Sequence, residues 1–471
     1  MRICTVGLYT ALFLMPGQAE LGRPSGTSSS APRGAVYFIS PIGNDLNPGT
    51  KDQPWRTIEK AANTLTAGET VYIRAGNYGE RLIPLHSGSA GNYIIYAAYP
   101  GDTATIDGSG VLVPIDEGLI YISGKSYLHF SGLHISRSQQ AGILVDNTSS
   151  HITLEQNHTY NTGSSGIGVW NSNNTTIRDN EVDLACSGGM QESLTVAGTD
   201  TFEVQGNLVH NESAGYNKEG ICIKDGSSNG KVFRNHVHHV RAVGIYLDAW
   251  DKHTYNIEVF QNRVHDVAES NGLTVASEMG GLLENIKIYN NISYHNRYCG
   301  LSISINGPGG PQGQHPMKDI LVVNNTFYNN GWTTWGGGIA IDNPDAQNVI
   351  TRNNIVSQNL YFQIAVAADV PVGTYSIDHN LVDGYRDTEG EVYGNDHVVG
   401  DPRFAAAVTA DFHLLGDSPA IDRGSSSGAP ANDFDGTLRP QDGNGDGIAI
   451  CDIGAFEFAG FRTCLPLLLH Q

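Results

Sequence analysis

Basic residues are scarce in this chain of 471 residues, since 27 lysines and arginines face 48 aspartates and glutamates and the net charge is −21. Phosphate backbones are bound by positively charged surfaces, so this balance excludes a general nucleic-acid binder. A polyanionic carbohydrate would be repelled as well, unless a local cluster of lysine and arginine or a bound calcium ion reverses the sign of the charge.

Cysteine is also rare, with six in the whole chain. Cys4 lies in a segment that we expect to be removed, which leaves an odd set of five. Such a set does not form a disulfide framework, although one bridge, Cys451 to Cys464, stays open. No CxxC pair or cysteine–histidine spacing indicates a zinc site. Three histidines close in sequence are expected to be turn and surface residues: His236, His238 and His239.

Long apolar runs are missing beyond the N-terminus, and no later segment approaches the ~18 residues needed to span a membrane. Residues 1–19 have the pattern of a secretory signal, with Arg2 before an apolar run and small residues ending at Ala19. Residues 20–34 are rich in serine, glycine and proline and are predicted to be a flexible linker. We therefore expect a monomer that is secreted or held at the cell surface.

Residues 35–110 alternate short β-rich runs with one segment of helical spacing, whose apolar face is formed by Ile58, Ala61, Ala62 and Leu65. A strand, a short helix and a strand ahead of a repeat array would seal the apolar end of a solenoid. The chain here resembles the opening of many secreted bacterial, pectin-lyase-like β-helix polysaccharide enzymes, in the order Ser40-Pro41-x-Gly43-x-Asp45-x-Asn47-Pro48-Gly49-Thr50, Thr57-Ile58-x-x-Ala61 and Gly76-x-Tyr78.

An asparagine recurs between apolar residues every 23 to 34 positions in the middle of the chain. One turn of three short strands needs about that length, so the spacing predicts the coils of a β-helix. Inward asparagines stacked coil on coil can hydrogen-bond along a ladder, which makes their role structural. The repeating positions are Asn157, Asn180, Asn207, Asn235, Asn262, Asn291, Asn325, Asn354 and Asn380.

A second repeat begins with a small residue and continues with alternating apolar positions, as in Gly220-Ile-Cys-Ile and Gly244-Ile-Tyr-Leu. Because side chains alternate along a strand, the second and fourth residues of each repeat point inward and the third and fifth outward. The pattern predicts one strand per coil, stacked into a long parallel sheet. We assign residues 111–400 to an all-β, single-stranded, right-handed parallel β-helix with a short N-terminal capping helix.

Residues 401–458 differ from the repeats, and Ser418-Pro-Ala-Ile-Asp422 and Asp452-Ile-Gly-Ala-Phe-Glu457 resemble a closing segment of secreted bacterial β-helix proteins. Residues 459–471 form a short tail. Within the closing segment, oxygen-bearing residues alternate before a glycine, as at the start of a calcium loop, although Ile453 stands where the usual glutamate would be. The candidate calcium ligands are Asp442, Asn444 and Asp446.

Two neighbouring coils of the second repeat carry charged outward residues, whereas most carry small or neutral ones. Lys224 is outward on one, and Tyr246 and Asp248 are outward on the next. Adjacent strands lie ~4.8 Å apart, so Lys224 and Asp248 are expected near contact. Glu278 follows the strand one coil later.

Tyr246 and Trp250 would offer flat faces to sugar rings. The residues predicted to bind substrate are Tyr246, Trp250, Asp225, Glu192, Asp251, His253 and Arg241.

Paired carboxyl groups ~5 to 9.5 Å apart are what glycoside hydrolysis requires. Asp248 and Glu278 fit this, with Lys224 keeping Asp248 ionised and Glu278 serving as the acid of higher pKa. The run from Gly244 to Trp250 resembles the Gly-Ile-x-x-Asp-Trp strand of β-helix β-xylosidases, which implies that Asp248 is the nucleophile. That family's acid glutamate falls at Ala276, two residues before Glu278. We expect a glycoside hydrolase that needs no cofactor.

Two alternatives stay open. A polysaccharide lyase would eliminate across a uronic-acid linkage, with Lys224 as base and calcium gathered by Glu219, Asp225 and Asp248. A non-catalytic glycan-binding or adhesin-like solenoid would use the same surface without chemistry, and Lys224 and Asp248 would then be a surface ion pair worth ~0–1 kcal/mol. In each case the partner is a polysaccharide or oligosaccharide.

Overall fold

The computed structural model describes residues 34–211, 218–332 and 335–460, all within one compact unit that begins at Gly34. The predicted signal, nearly all of the linker and nearly all of the tail lie outside these residues, as does Cys464. Those assignments stay predictions. No helix among the described residues is long and apolar enough to cross a membrane.

A single α-helix among the described residues, Ile58–Thr64, lies where the apolar spacing predicts it. The Thr57 side chain accepts a hydrogen bond from the backbone N–H of Lys60 at 3.1 Å and so caps the helix. Ile58, Ala61 and Ala62 are buried. Because the helix precedes the first complete coils, its apolar face covers interior side chains that would otherwise be exposed at the N-terminal end of the solenoid.

Three parallel sheets make up the rest of the N-terminal and central regions. In the first sheet each strand pairs with the strand one coil away. Its strands are Val36–Ile39, Thr70–Ile73, Ile94–Ala98, Ser126–Ser131, Ser150–Glu155, Asn173–Arg178, Asp200–Gln205, Ser228–Phe233, Thr254–Phe260, Leu283–Tyr289, Met317–Val323, Ala346–Arg352 and Tyr375–Asp378.

The second and third sheets repeat in step with the first. The second sheet holds Gly76–Tyr78, Ala104–Asp107, His134–Ser136, His158–Tyr160, Glu181–Asp183, Leu208–His210, His236–His238, Arg263–His265, Ile292–Tyr294, Thr326–Tyr328, Ile355–Ser357, Leu381–Asp383 and Val398–Val399. The third sheet holds Gly118–Ser123, Ala141–Asp146, Ile167–Trp170, Leu194–Ala197, Ile221–Lys224, Ile245–Asp248, Leu273–Ala276, Leu301–Ile303, Gly337–Ile341 and Phe362–Val366. The predicted all-β parallel solenoid is confirmed.

The nine repeating asparagines form the predicted ladder, and all of them are buried. The side-chain amides of the first eight each donate to the side-chain oxygen of the asparagine one coil later, at 2.9 to 3.1 Å. The same amide also donates to a backbone carbonyl of the preceding coil, as Asn262 does to Val232. The ladder satisfies polar groups at the bend between the first and second sheets and fixes how each coil sits on the next.

The alternation predicted for the third sheet is also confirmed. Ile221 and Ile223 are fully buried in the interior, and the Cα atoms of Lys224 and Asp248 are partners on adjacent strands. The outward side chains of this sheet therefore form one continuous surface along the solenoid.

The closing segment folds back along the side of the last coils. Phe412 and Phe456 pack on Ile292 of the second sheet, and the Arg439 guanidinium donates to Glu457 at 2.6 Å inside this contact. It also contains a two-stranded antiparallel sheet, Phe404–Ala406 with Asp411–Leu414, and a 3₁₀ turn, Ala407–Thr409. The segment therefore covers apolar outward positions of the second sheet.

Replacing Asn262 by alanine is expected to lower the free energy of unfolding by about 3–5 kcal/mol, because it leaves buried partners in the preceding and following coils without hydrogen bonds. Asn63, which is exposed on the helix, is the matched control, and Asn63→Ala is expected to change stability by less than about 0.5 kcal/mol. Denaturant unfolding of both variants measures this. Equal stability of the two would show that the ladder does not hold the coils together.

Candidate functional site on the third sheet

Lys224 is the only outward lysine or arginine on the strands of the third sheet among the described residues. Its ammonium group pairs with Glu192 of the preceding coil, Nζ to Oε1, at 2.8 Å. Thr195 donates to the other oxygen of Glu192 at 2.8 Å and holds that carboxylate in place. The Nζ atom also lies 5.2 Å from the centre of the Trp170 ring, within range of a cation–π contact.

The predicted contact between Lys224 and Asp248 is wrong. Their Cα atoms are neighbours as expected, but no ion pair joins these two described side chains, and the lysine instead reaches Glu192. Burial disfavours the charge on Lys224, yet the neighbouring negative charge, with Glu192 in hydrogen-bonding contact, raises its pKa above the usual value. The free protein therefore holds this lysine firmly protonated.

Asp248 is 2 % exposed. Its Oδ1 accepts hydrogen bonds from the backbone N–H groups of Trp250 at 2.8 Å and Glu278 at 3.0 Å. Burial raises the pKa of Asp248 to about 7 in spite of these bonds. The expectation that Lys224 keeps Asp248 ionised is therefore wrong, since burial outweighs a cation that points elsewhere.

Tyr246 and Glu278 are brought together, with the tyrosine hydroxyl donating to the Glu278 carboxylate. Asn306 adds a weaker contact to the same hydroxyl at 3.5 Å. Tyr246 is only 4 % exposed, so the prediction that its ring offers a flat face to sugar is wrong for this conformation. Its hydroxyl positions Glu278 instead.

A second group of acidic residues follows the strands at the far edge of the sheet. Asp225 comes directly after Lys224, and burial raises its pKa although Lys224 and Lys252 act to lower it. Asp251 adds negative charge there. Trp250 is 40 % exposed beside them, so its side chain is accessible, and its contact with sugar stays a prediction.

Two predicted substrate-binding residues point away from Lys224. His253 lies 2.9 Å from Glu284 and packs on Tyr255, both on the first sheet. Arg241 lies in the turn that enters the third sheet and pairs with Glu269 in the next such turn. The structure therefore separates these two side chains from the cluster that the sequence suggested.

The expected calcium ligands do not converge. Glu219 precedes the strand Ile221–Lys224 and Asp225 follows it, so their Cα atoms lie roughly 20 Å apart along an extended chain. Burial, followed by repulsion from Glu192, raises the pKa of Glu219 to about 7. Asp225 and Asp248 remain together at the far edge, where the negative charge of Asp225 adds to the effect of burial in raising the pKa of Asp248.

In the loop of the closing segment, the side chains of the three candidate calcium ligands accept hydrogen bonds from backbone N–H groups of the same loop. Asp442 accepts hydrogen bonds from the backbone N–H groups of Gly445 at 2.8 Å and Gly447 at 2.9 Å. Asn444 and Asp446 each accept a bond from the residue two positions later. Calcium binding here stays a prediction.

A groove that the sequence analysis did not identify lies over the earlier coils of the third sheet, with a volume of about 730 Å³. Its floor includes Tyr121, Leu144 and Trp170, and its walls include Asp116 and Asp146. Trp170 is shared with the Lys224 cluster, so the groove leads directly to that lysine. The sequence did contain an indication of this groove, because Leu144 and Trp170 occupy outward positions of the second repeat.

Comparison with known proteins identifies the family. A family profile described as Pel9A-like, right handed beta helix region, matches residues 37–336. The chain belongs to this family. This family description also confirms the right-handed winding predicted for the solenoid.

Relatives of this β-helix protein extend over most of its length. It is 30 % identical over 444 residues to YwoF of Bacillus subtilis, covering 82 % of this chain and 92 % of the relative. It is 23 % identical to pectate lyase L of Paenibacillus polymyxa, covering 93 % and 89 %. The crystal structure of pectate lyase Pel9A shares the fold, with a TM-score of 0.51, 17 % identity and coverage of 90 % and 96 %.

Asp248→Asn is expected to make stability less dependent on pH. The pKa of Asp248 is raised to about 7 in the folded protein from about 3.9 when unfolded. The folded state therefore holds a proton that the unfolded chain has released between about pH 4 and 7, and stability falls as pH rises through that window. The asparagine carries no charge, so the variant escapes a penalty on the order of 1–4 kcal/mol at pH 8.

Thermal unfolding of both proteins from pH 4 to 8 measures this effect. The variant should gain melting temperature relative to the unsubstituted protein as pH rises. Asp452, buried in the closing segment with a pKa of about 7, is present in both proteins and cancels in the difference. Parallel curves would contradict the account of Asp248.

Proposed function

We propose that the protein is a polysaccharide lyase that cleaves a uronic-acid polymer by β-elimination, with Lys224 as the base. The observation that carries the proposal is the position of Lys224 on the outer face of the third sheet, where the groove of about 730 Å³ ends and Trp170 is shared by both. Membership of the Pel9A-like family supports it, as does similarity to a relative named as a pectate lyase.

The chemistry requires a base beside the uronate ring. The base removes the proton at C5, the C4–oxygen bond breaks, a C4–C5 double bond forms, and the departing oxygen takes a proton. A lysine can accept the proton only when it is neutral, whereas Glu192 holds Lys224 protonated in the free protein. Substrate binding must therefore draw Lys224 away from Glu192 before the elimination step.

Asp225 and Asp248 are the residues that would hold a calcium ion together with the carboxylate of the substrate. Both are oxygen donors, which suit calcium, and burial raises the pKa of each, so a cation between them would relieve unfavourable negative charge. Bound calcium would neutralise the uronate carboxylate and so make the C5 proton more acidic. Glu219 is too distant to join them.

The hydrolase expected from the sequence is less well supported. A nucleophilic aspartate must be ionised before it attacks the anomeric carbon, whereas burial raises the pKa of Asp248 to about 7. The relative named as a pectate lyase also favours elimination. The glycan-binding solenoid uses the same groove and differs only in making no product.

Secretion fits a polymeric substrate, which is too large to enter a cell. The proposal therefore includes secretion directed by the predicted signal in residues 1–19. It also includes a monomeric protein whose groove on the third sheet is open to a polysaccharide chain.

Lys224→Arg is expected to lower the rate of elimination by about 10²–10⁴-fold, the usual contribution of a general base. Arginine keeps the positive charge and the pair with Glu192, but it cannot give up its proton in a protein. Ultraviolet absorbance of unsaturated product and reducing ends are followed together on uronic and neutral polysaccharides, with and without a calcium chelator.

His253→Gln is the control, because His253 points to the first sheet, and it should keep the activity of the unsubstituted protein within about twofold. An arginine variant that remained fully active would remove Lys224 from the base role and leave a structural ion pair. Reducing ends without absorbance, abolished by Asp248→Asn, would establish the hydrolase. Glycan binding with no product from any polymer would favour the binding solenoid.

A further inference from the structure

Histidines and acidic residues are concentrated on the outer face of the second sheet. In each three-residue strand of this sheet the middle side chain points inward and the flanking ones outward, as the buried Val182 shows between Glu181 and Asp183. The outward residues on consecutive strands include His134, His158, Glu181, Asp183, His210, His236, His238 and His265. This surface lies on a different sheet from Lys224 and its groove.

His158, Glu181 and Asp183 bring one ligand atom each to within 4.8 Å of one another, and they are the one group of three that does so among the described residues. The Nε2 atom of His158 is buried and has no hydrogen-bond partner in the described part of the chain. A buried ring nitrogen without a partner is costly unless something else satisfies it.

His210, on the next coil, lies beside two members of this group. Its Nε2 lies 3.0 Å from an oxygen of Glu181, and its Nδ1 lies 3.8 Å from an oxygen of Asp183. The side chain of His210 is 12 % exposed while that of Glu181 is 41 % exposed, so the group is largely buried at His210 and open to ions from solution at Glu181.

We propose that His158, Glu181, Asp183 and His210 bind a divalent transition-metal ion of the zinc type. Two imidazoles and two carboxylates form a four-ligand set of the kind that such ions prefer, whereas calcium prefers oxygen ligands alone. Ligand atoms around tetrahedral zinc lie about 3.3 Å apart, as follows from bonds of about 2.0 Å. The ligand atoms of His158, Glu181 and Asp183 lie within 4.8 Å of one another, so side-chain rotations would have to bring them, together with a ring nitrogen of His210, closer around the ion.

The ion would tie together three successive coils. His158 lies on His158–Tyr160, the carboxylates on Glu181–Asp183, and His210 on Leu208–His210. These strands pair in register, so one ion would add a link between coils that are already held together by backbone hydrogen bonds, the asparagine ladder and the apolar interior. His158 and His210 are 52 residues apart in the sequence and form no metal motif there, so only the stacking of coils assembles the set.

Metal-free, full-length protein is titrated with Zn²⁺ and, separately, with Ca²⁺ in a calorimeter, and its thermal unfolding is followed with and without each ion. We expect one zinc ion per chain and a rise in melting temperature that calcium does not give. His158→Gln and His210→Gln should each weaken zinc binding by at least about tenfold, since losing even an outer-shell partner of a metal costs about 10–100-fold.

His253→Gln is the matched control, because His253 makes a similar pair with Glu284 at 2.9 Å outside the proposed site. It should bind zinc as tightly as the unsubstituted protein. Circular dichroism of each variant without metal establishes that it is folded. Absence of zinc binding, or affinity unchanged in both folded site variants, or equal loss in the control, would overturn the proposal.

Discussion

The buried asparagine ladder is the interaction on which the rest of the molecule depends. Each amide bonds the next coil through its side chain and the preceding coil through a backbone carbonyl, as Asn262 does with Asn291 and Val232. A slip of one residue would turn every outward side chain inward. The ladder therefore fixes which residues face the groove. The same register brings together the residues around Lys224 on the third sheet and the histidines on the outer face of the second sheet.

Stacking coils at a spacing of ~4.8 Å also concentrates charge. The outer face of the third sheet places Lys224 among carboxylates, and burial raises the pKa of Glu219 and Asp248 to about 7. Such a surface is unfavourable for folding alone, because buried charge is costly without compensation. The apolar interior and the ladder stabilise the fold enough to carry this surface, which suits a calcium ion that would in turn hold the negatively charged uronate.

Much of the fold could be predicted because it depends on residues with a strict period. The asparagines and the small-residue repeat gave the coils, and the apolar face around Ile58 gave the helix. The candidate site was predicted less well. Register places the Cα atoms of Lys224 and Asp248 side by side, but it does not say which way a long flexible side chain turns, and Lys224 turns to Glu192.

The groove and the histidine cluster were missed for a related reason. Their residues come from several coils, so no short motif in the sequence joins Leu144 to Trp170 or His158 to His210. Side-chain burial was equally hidden, since the outward position of Tyr246 predicts exposure whereas the folded protein leaves this residue only 4 % exposed. Contacts between distant segments, such as Phe456 on Ile292, have no local pattern at all.

The most direct test of the proposed reaction is digestion of a uronic-acid polymer in water labelled with heavy oxygen, followed by mass spectrometry of the products. Elimination breaks the linkage without adding water, so we predict that the products carry no label from bond cleavage and that their masses sum to that of the substrate. A labelled oxygen introduced once for each bond broken would mean hydrolysis and would contradict the assignment of Lys224 as the base of a lyase.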